Sequence, residues 1–200
     1  RFPGNAGADI VVDVRTQSLQ NALDGASDVN NDGYIIIGVV DSGVWPESLS
    51  LSDRTGTNGN GSKGGKLDYH QIPGWHGRCT NGEAFNASMC NQKLIGAQHF
   101  NAAWGGDEGI EADRPWEFES PRDYNGHGTH TASTAGGNHG VAATGAAAIF
   151  GSISGIAPRA RIAAYKALWS TQDGAIASGF TSDLVAAIDQ AVADGVDVIN

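Results

Sequence analysis

The chain has 200 residues, 40% of them hydrophobic and 17% charged. That balance supplies a sizeable core for one domain or two small ones, and excludes a disordered chain. Its 22 acidic against 12 basic residues leave a net charge of −10, which argues against nucleic-acid and anionic-membrane partners.

The chain opens on Arg1 with no signal pattern, so an upstream leader is expected to have been removed. Residues 1–33 read as a polar, turn-rich N-terminal arm. Within it, Asp28-Val29-Asn30-Asn31-Asp32-Gly33 copies the first half of a calcium loop, but the twelfth position is Val39 where a bidentate acid is required. A polar turn is the better reading, and no cofactor is expected, with calcium at this loop as the alternative. Residues 34–40 are a continuous β-branched run stopped by Asp41-Ser42-Gly43, the pattern of a strand buried on both faces. Residues 44–92 read as long surface loops, with glycosylation acceptors at Asn60-Gly61-Ser62 and Asn86-Ala87-Ser88 for a eukaryotic secretory host. Cys79 and Cys90 fit no zinc pattern. They are either a local disulfide in an oxidised, secreted protein or two unrelated thiols.

A short strand is expected at 93–97 and a loop at 101–126. From His127 the small residues suit a helix ending at Gly136-Gly137, followed by a loop over 138–158 and a strand over 161–168. After a Gly/Ser loop comes the clearest helix, with Ser182 as its cap. Leu184, Ile188, Ala191 and Val192 form its apolar stripe, and Gly195 its stop. Residues 196–199 then start another buried strand. Strand, helix and strand joined by short turns make a βαβ unit, so the fold class is α/β with a doubly wound, mainly parallel sheet.

Sites in such sheets form beyond the carboxyl ends of the strands, where Asp41 sits. In Gly126-His127-Gly128-Thr129-His130 a histidine opens a helix between residues without bulk, so another chain can approach the imidazole. The helix N-terminus favours the neutral ring, and a nearby carboxylate would offset that. His130 follows one turn later and reads as structural rather than as a second base. A metallohydrolase built on His127, His130 and Asp41 lacks the i, i+4 spacing and an acidic partner, so no metal ligands are assigned.

Asp41-Ser42-Gly43-Val44-Trp45-Pro46-Glu47-Ser48 resembles the aspartate motif of the subtilisin-like serine proteases, and the segment from Asp123 through His127 to Ser133 resembles their histidine motif. Gly155 to Ile162 and Asp194 to Asn200 match the segments that follow, so the resemblance covers residues 34–200. Trp45-Pro46-Glu47-Ser48 and Cys90-Asn91-Gln92-Lys93-Leu94-Ile95-Gly96-Ala97 point to the cucumisin-like branch. The resemblance implies a subtilisin-like fold, Asp41 orienting the imidazole of His127, and His127 as the base for a serine. It further implies a disulfide between Cys79 and Cys90 and secretion. Ala177, Ser178 and Gly179 would pair with the substrate backbone, with Leu168 and Leu184 bordering an apolar subsite. A flexible Gly/Ser loop is the plainer reading of that segment. No Gly-Thr-Ser-Met-Ala-like motif occurs, and the chain stops at Asn200 within a strand. The reading is therefore the N-terminal part of a secreted serine endopeptidase. Its partners are a protein or peptide substrate and the rest of the protease after Asn200. The alternative is a non-catalytic secreted module of the same fold.

Overall fold

Four parallel strands form the central sheet in the computed structural model, which describes residues 35–53, 62–63, 66–67, 72 and 74–200. The arm at 1–33, its calcium-like loop, Tyr34 and Asn60 lie outside the described residues. The strands are β1 (Ile36–Asp41), β2 (Leu94–His99), β3 (Arg161–Lys166) and β4 (Val198–Ile199), ordered β4-β1-β3-β2. Every pairing among them is parallel. All six residues of β3 are buried, as an unbroken run in a two-sided parallel sheet requires.

Alternate side chains feed two cores. Ile37, Val39, Ile162 and Ala164 pack with Ala132 of the helix α2 (His127–Gly136), whereas Ile36, Ala163 and Tyr165 pack with Ala187 and Ala191 of the helix α3 (Thr181–Asp194). Helices on both faces make the sheet doubly wound, as the sequence pattern implied.

Several local expectations are corrected. The first strand extends through Asp41, so the aspartate is its last residue and not part of the stop. The region 44–92 is no mere surface loop, because Val44, Leu51 and Phe85 are buried in the core. The loop expected at 101–126 contains a short helix α1 (Asp107–Asp113), in which Ile110 alone is buried, too little apolar content to show a period. Ser182 does not cap α3. Phe180 occupies that position, and Ser182 is exposed inside the first turn. The stripe on α3 is also rotated: Ala187 and Ala191 are buried, while Ile188 and Val192 are 42% and 66% exposed. Gly195 does close the helix, in the left-handed conformation with φ +90°.

Two buried lysines brace the sheet. The Lys93 ammonium donates to the carbonyls of Pro158 (2.6 Å) and Ala160 (2.5 Å), fastening the start of β2 to the approach to β3. Burial, reinforced by the Arg161 charge, holds its pKa well below the ordinary lysine value. Lys166 at the end of β3 turns to the other end of the sheet, where the site lies.

Cys79 and Cys90 are disulfide-bonded. Cys79 also bridges Ala97 of β2, so the crosslink holds its loop along the sheet edge. Closing a loop of this size stabilises by about 2–3 kcal/mol in the chain-entropy picture. The double variant Cys79→Ser/Cys90→Ser should lose about that much in a denaturant titration, and a loss below ~0.5 kcal/mol would show that packing alone holds the loop.

Candidate active site

Asp41 ends β1, and His127 is the first residue of α2. The sheet and helix bring them together: His127 Nδ1 lies 2.8 Å from Asp41 Oδ1 and 2.9 Å from Oδ2. The carboxylate can only accept, so Nδ1 carries the proton and Nε2 of the neutral ring is left as an acceptor. The Asp41 side chain is 9% exposed and that of His127 64%. The result is a buried, fixed carboxylate behind an imidazole that faces solvent.

Three neighbours set this geometry. Asp41 Oδ1 accepts the backbone N–H of Ser42 at 2.7 Å, which orients the carboxylate. The Ser42 hydroxyl donates to Asp123 (2.9 Å) and accepts the N–H of Gly128 (2.9 Å), so it links the end of β1 to the first turn of α2. The cap position of that helix is Gly126, which has no side chain to offer, and Asp123 three residues earlier serves instead, accepting from the backbone N–H groups of Gly126 (2.8 Å) and Thr129 (2.9 Å) and from the Thr129 hydroxyl (2.5 Å). Gly128 lies so close to the Gly43 carbonyl that a Cβ would overlap it, so the missing side chain first serves helix-to-loop packing. Ser42 is fully buried, with its hydroxyl engaged on both sides.

Asp123 is delivered by the preceding loop, itself anchored on β3. Lys166 Nζ donates to Glu117 (2.7 Å) and to the carbonyls of Phe118 (3.1 Å) and Arg122 (2.8 Å). The Arg122 guanidinium forms a two-pronged pair with Glu47 (2.6 and 3.0 Å) and stacks 4.5 Å from the Trp45 ring. This pairing holds the Glu47 carboxyl below its ordinary value. The Trp-Pro-Glu-Ser end of the aspartate motif thus has a structural purpose, because Trp45 and Glu47 fix the residue next to Asp123.

The structure brings together Asp41 and His127, the pair singled out in the sequence, and surrounds them with Ser42, Glu117, Arg122 and Lys166, which sequence reasoning did not place there. Lys166 at the end of an apolar strand was the available signal, since buried charges need partners, whereas Glu117 and Arg122 lie in a loop that offered none. His130 is exposed rather than packed. With His127 it lines a largely apolar cleft of about 300 Å³ beside Ile37, Thr131 and Val198. No group of three His, Cys, Asp or Glu side chains among the described residues is placed to hold a metal ion.

Ala177–Ser178 pairs antiparallel with Trp169–Ser170, and this ladder has only those two strands among the described residues, which leaves the outer edge of Ala177–Ser178 without a strand partner. Ser178 is exposed, and Leu168 and Leu184 are half-buried nearby in sequence. Gly179 passes so close to the Ala167 carbonyl that a Cβ there would overlap it. Packing therefore demands this glycine, whatever binds outside it.

Two forces compete over the imidazole. The helix N-terminus disfavours the cation, whereas the hydrogen bond to Asp41, followed by its charge, favours it. The carboxylate prevails, and the pKa of His127 lies above the ordinary histidine value. With a raised folded-state pKa, the stabilisation by this pair is complete below the ordinary histidine pKa and is lost as pH climbs through the raised one. Asp41→Asn should bring the His127 pKa down to about 6.5 or below, read from its ring proton shifts across a pH series. An unmoved midpoint would assign the shift to another source.

The subtilase family model matches residues 32–200 of the chain. Among curated proteins, the chain is 42% identical to subtilisin-like protease SBT3.7 of Arabidopsis thaliana over 86% of its own length and 20% of that protein's. It is 46% identical to subtilisin-like protease SBT3 of Solanum lycopersicum over 83% and 19%, and 43% identical to the Arabidopsis thaliana protease SBT3.5 over 92% and 22%. The chain thus spans about a fifth of the length of the curated relatives it matches. With the parallel sheet, both motifs and these likenesses in agreement, the chain belongs to the subtilase family.

Proposed function

We propose that this chain supplies the aspartate and histidine of an Asp-His-Ser triad in a secreted serine endopeptidase, with the serine lying outside residues 1–200. The observation that carries the reading is the two-pronged Asp41–His127 hydrogen bond with the imidazole open to solvent. That is the arrangement of a general base. With Nδ1–H held by Asp41, His127 Nε2 takes the serine proton as the hydroxyl attacks the peptide carbonyl. The imidazolium formed is stabilised by Asp41 and returns the proton to the leaving amine. The order of aspartate before histidine and the relatives' printed names support the same reading.

The substrate is a protein or peptide. Its backbone adds to the unpaired edge at Ala177, Ser178 and Gly179, where main-chain hydrogen bonds give affinity, and Leu168 and Leu184 flank an apolar side chain. The disulfide supports an oxidising, extracellular setting.

Fluorophosphonate labelling of the full-length protein should modify a serine outside residues 1–200, and this chain alone should not label. His127→Ala in the full-length protein should lower kcat by about 10³-fold or more with the fold retained, since a serine without its base is a poor nucleophile. Absence of labelling in folded full-length protein would favour a non-catalytic module, and near-normal turnover of His127→Ala would remove that residue from its role.

A further inference from the structure

We propose that Asn125 is a positioning residue that ties the substrate-holding strand to the general base, so that a peptide lying along Ala177–Ser178 helps to set His127 in place. The inference rests on the reading of the site given under the proposed function.

Asn125 stands two positions before His127 and is half-buried. Its amide nitrogen donates to the Ser170 hydroxyl (3.0 Å) and to the Gly174 carbonyl (2.9 Å). Its amide oxygen faces the other way and accepts the backbone N–H of His127 at 3.3 Å. Its neighbour Tyr124 donates its hydroxyl to the Gln172 carbonyl at 2.9 Å. Both residues therefore grip the turn that joins Trp169–Ser170 to Ala177–Ser178. Ser170, the strand residue next to that turn, has a second attachment, where its N–H donates to Glu117 (2.5 Å), the partner of Lys166.

A hairpin fastened at Ser170 and gripped at its turn cannot shift against α2 without straining the Asn125 bonds. An asparagine suits this place because one side chain offers two donors to oxygens on the hairpin and an acceptor to the helix. An aspartate would set a carboxylate against the Gly174 carbonyl. Peptide binding stiffens the outer edge of the hairpin, and through Asn125 that stiffening reaches the backbone of His127. Binding energy gained far from the scissile bond is then spent on orienting the base, and such energy appears in kcat rather than only in KM.

The test compares two substrates of the full-length protein that share a scissile bond and leaving group. One carries a single residue on the acyl side, and the other is extended by three more residues along the strand. In the parent, extension should lower KM and raise kcat by about tenfold. In Asn125→Ala the KM gain should persist while the kcat gain shrinks to within about twofold, a split that a merely structural loss would not produce. Tyr124→Phe, which removes one of the links, should lose part of the kcat gain, and it decides the matter if Asn125→Ala does not fold. A full kcat gain in the folded variant overturns the coupling while leaving the strand and the base in place. Extension that changes neither constant in the parent overturns the strand reading, and the coupling with it.

Discussion

The Lys166–Glu117 pair is the anchor from which the site is built. Both side chains are fully buried at the carboxyl end of β3, in register with Asp41 on the neighbouring strand. Burial pulls the lysine below its ordinary value, and the glutamate works against that pull. Removing one partner of such a pair leaves an uncompensated charge, a loss of about 3–5 kcal/mol, whereas the intact pair adds little net stability. Its contribution is geometric. One ammonium group gathers Glu117 and two carbonyls of the same loop, and this loop ends in the carboxylate that starts α2.

From that anchor the site is a relay of short polar bonds. Lys166 fixes the loop, the loop presents Asp123, and Asp123 caps α2 while receiving the Ser42 hydroxyl. Ser42 in turn follows Asp41 and binds the first turn of the helix. Each buried polar atom in this chain of bonds finds a partner, as a low-dielectric setting demands. The two groups of interest, Asp41 and His127, are thereby held from both sides, one by the strand and one by the helix.

The same frame explains how opposed electrostatic demands coexist. A base must be neutral to accept a proton, and it must be stabilised once it has done so. The helix N-terminus serves the first need and Asp41 the second, and the raised pKa of His127 records which is stronger. Solvent exposure of the ring leaves Nε2 free for a partner, while burial of Asp41 keeps its hydrogen bond from competing with water.

Much of this was legible in the sequence, because the features concerned are local or periodic. The unbroken β-branched run before Asp41 pointed to a strand buried on both faces, the alternation of strand and helix to a parallel sheet, and the small residues around His127 to a helix open to approach. Where two such patterns coexist, as on α3, the sequence could not choose: Ile188 and Val192 have helical spacing, yet the helix turns Ala187 and Ala191 to the sheet, where they pack with Tyr165 and Ile36. Ser182 had the chemistry of a cap, but the backbone entered the helix two residues earlier, from Phe180. The frame around the site was invisible for a deeper reason. Lys166, Glu117, Arg122 and Asp123 meet across 44–49 positions of chain or through a loop without periodicity, and a charged residue in sequence looks the same whether it faces water or a partner. Residue types and their order determined which groups could do the chemistry; only the tertiary structure decided which charges were buried, and so which of them hold His127 against Asp41.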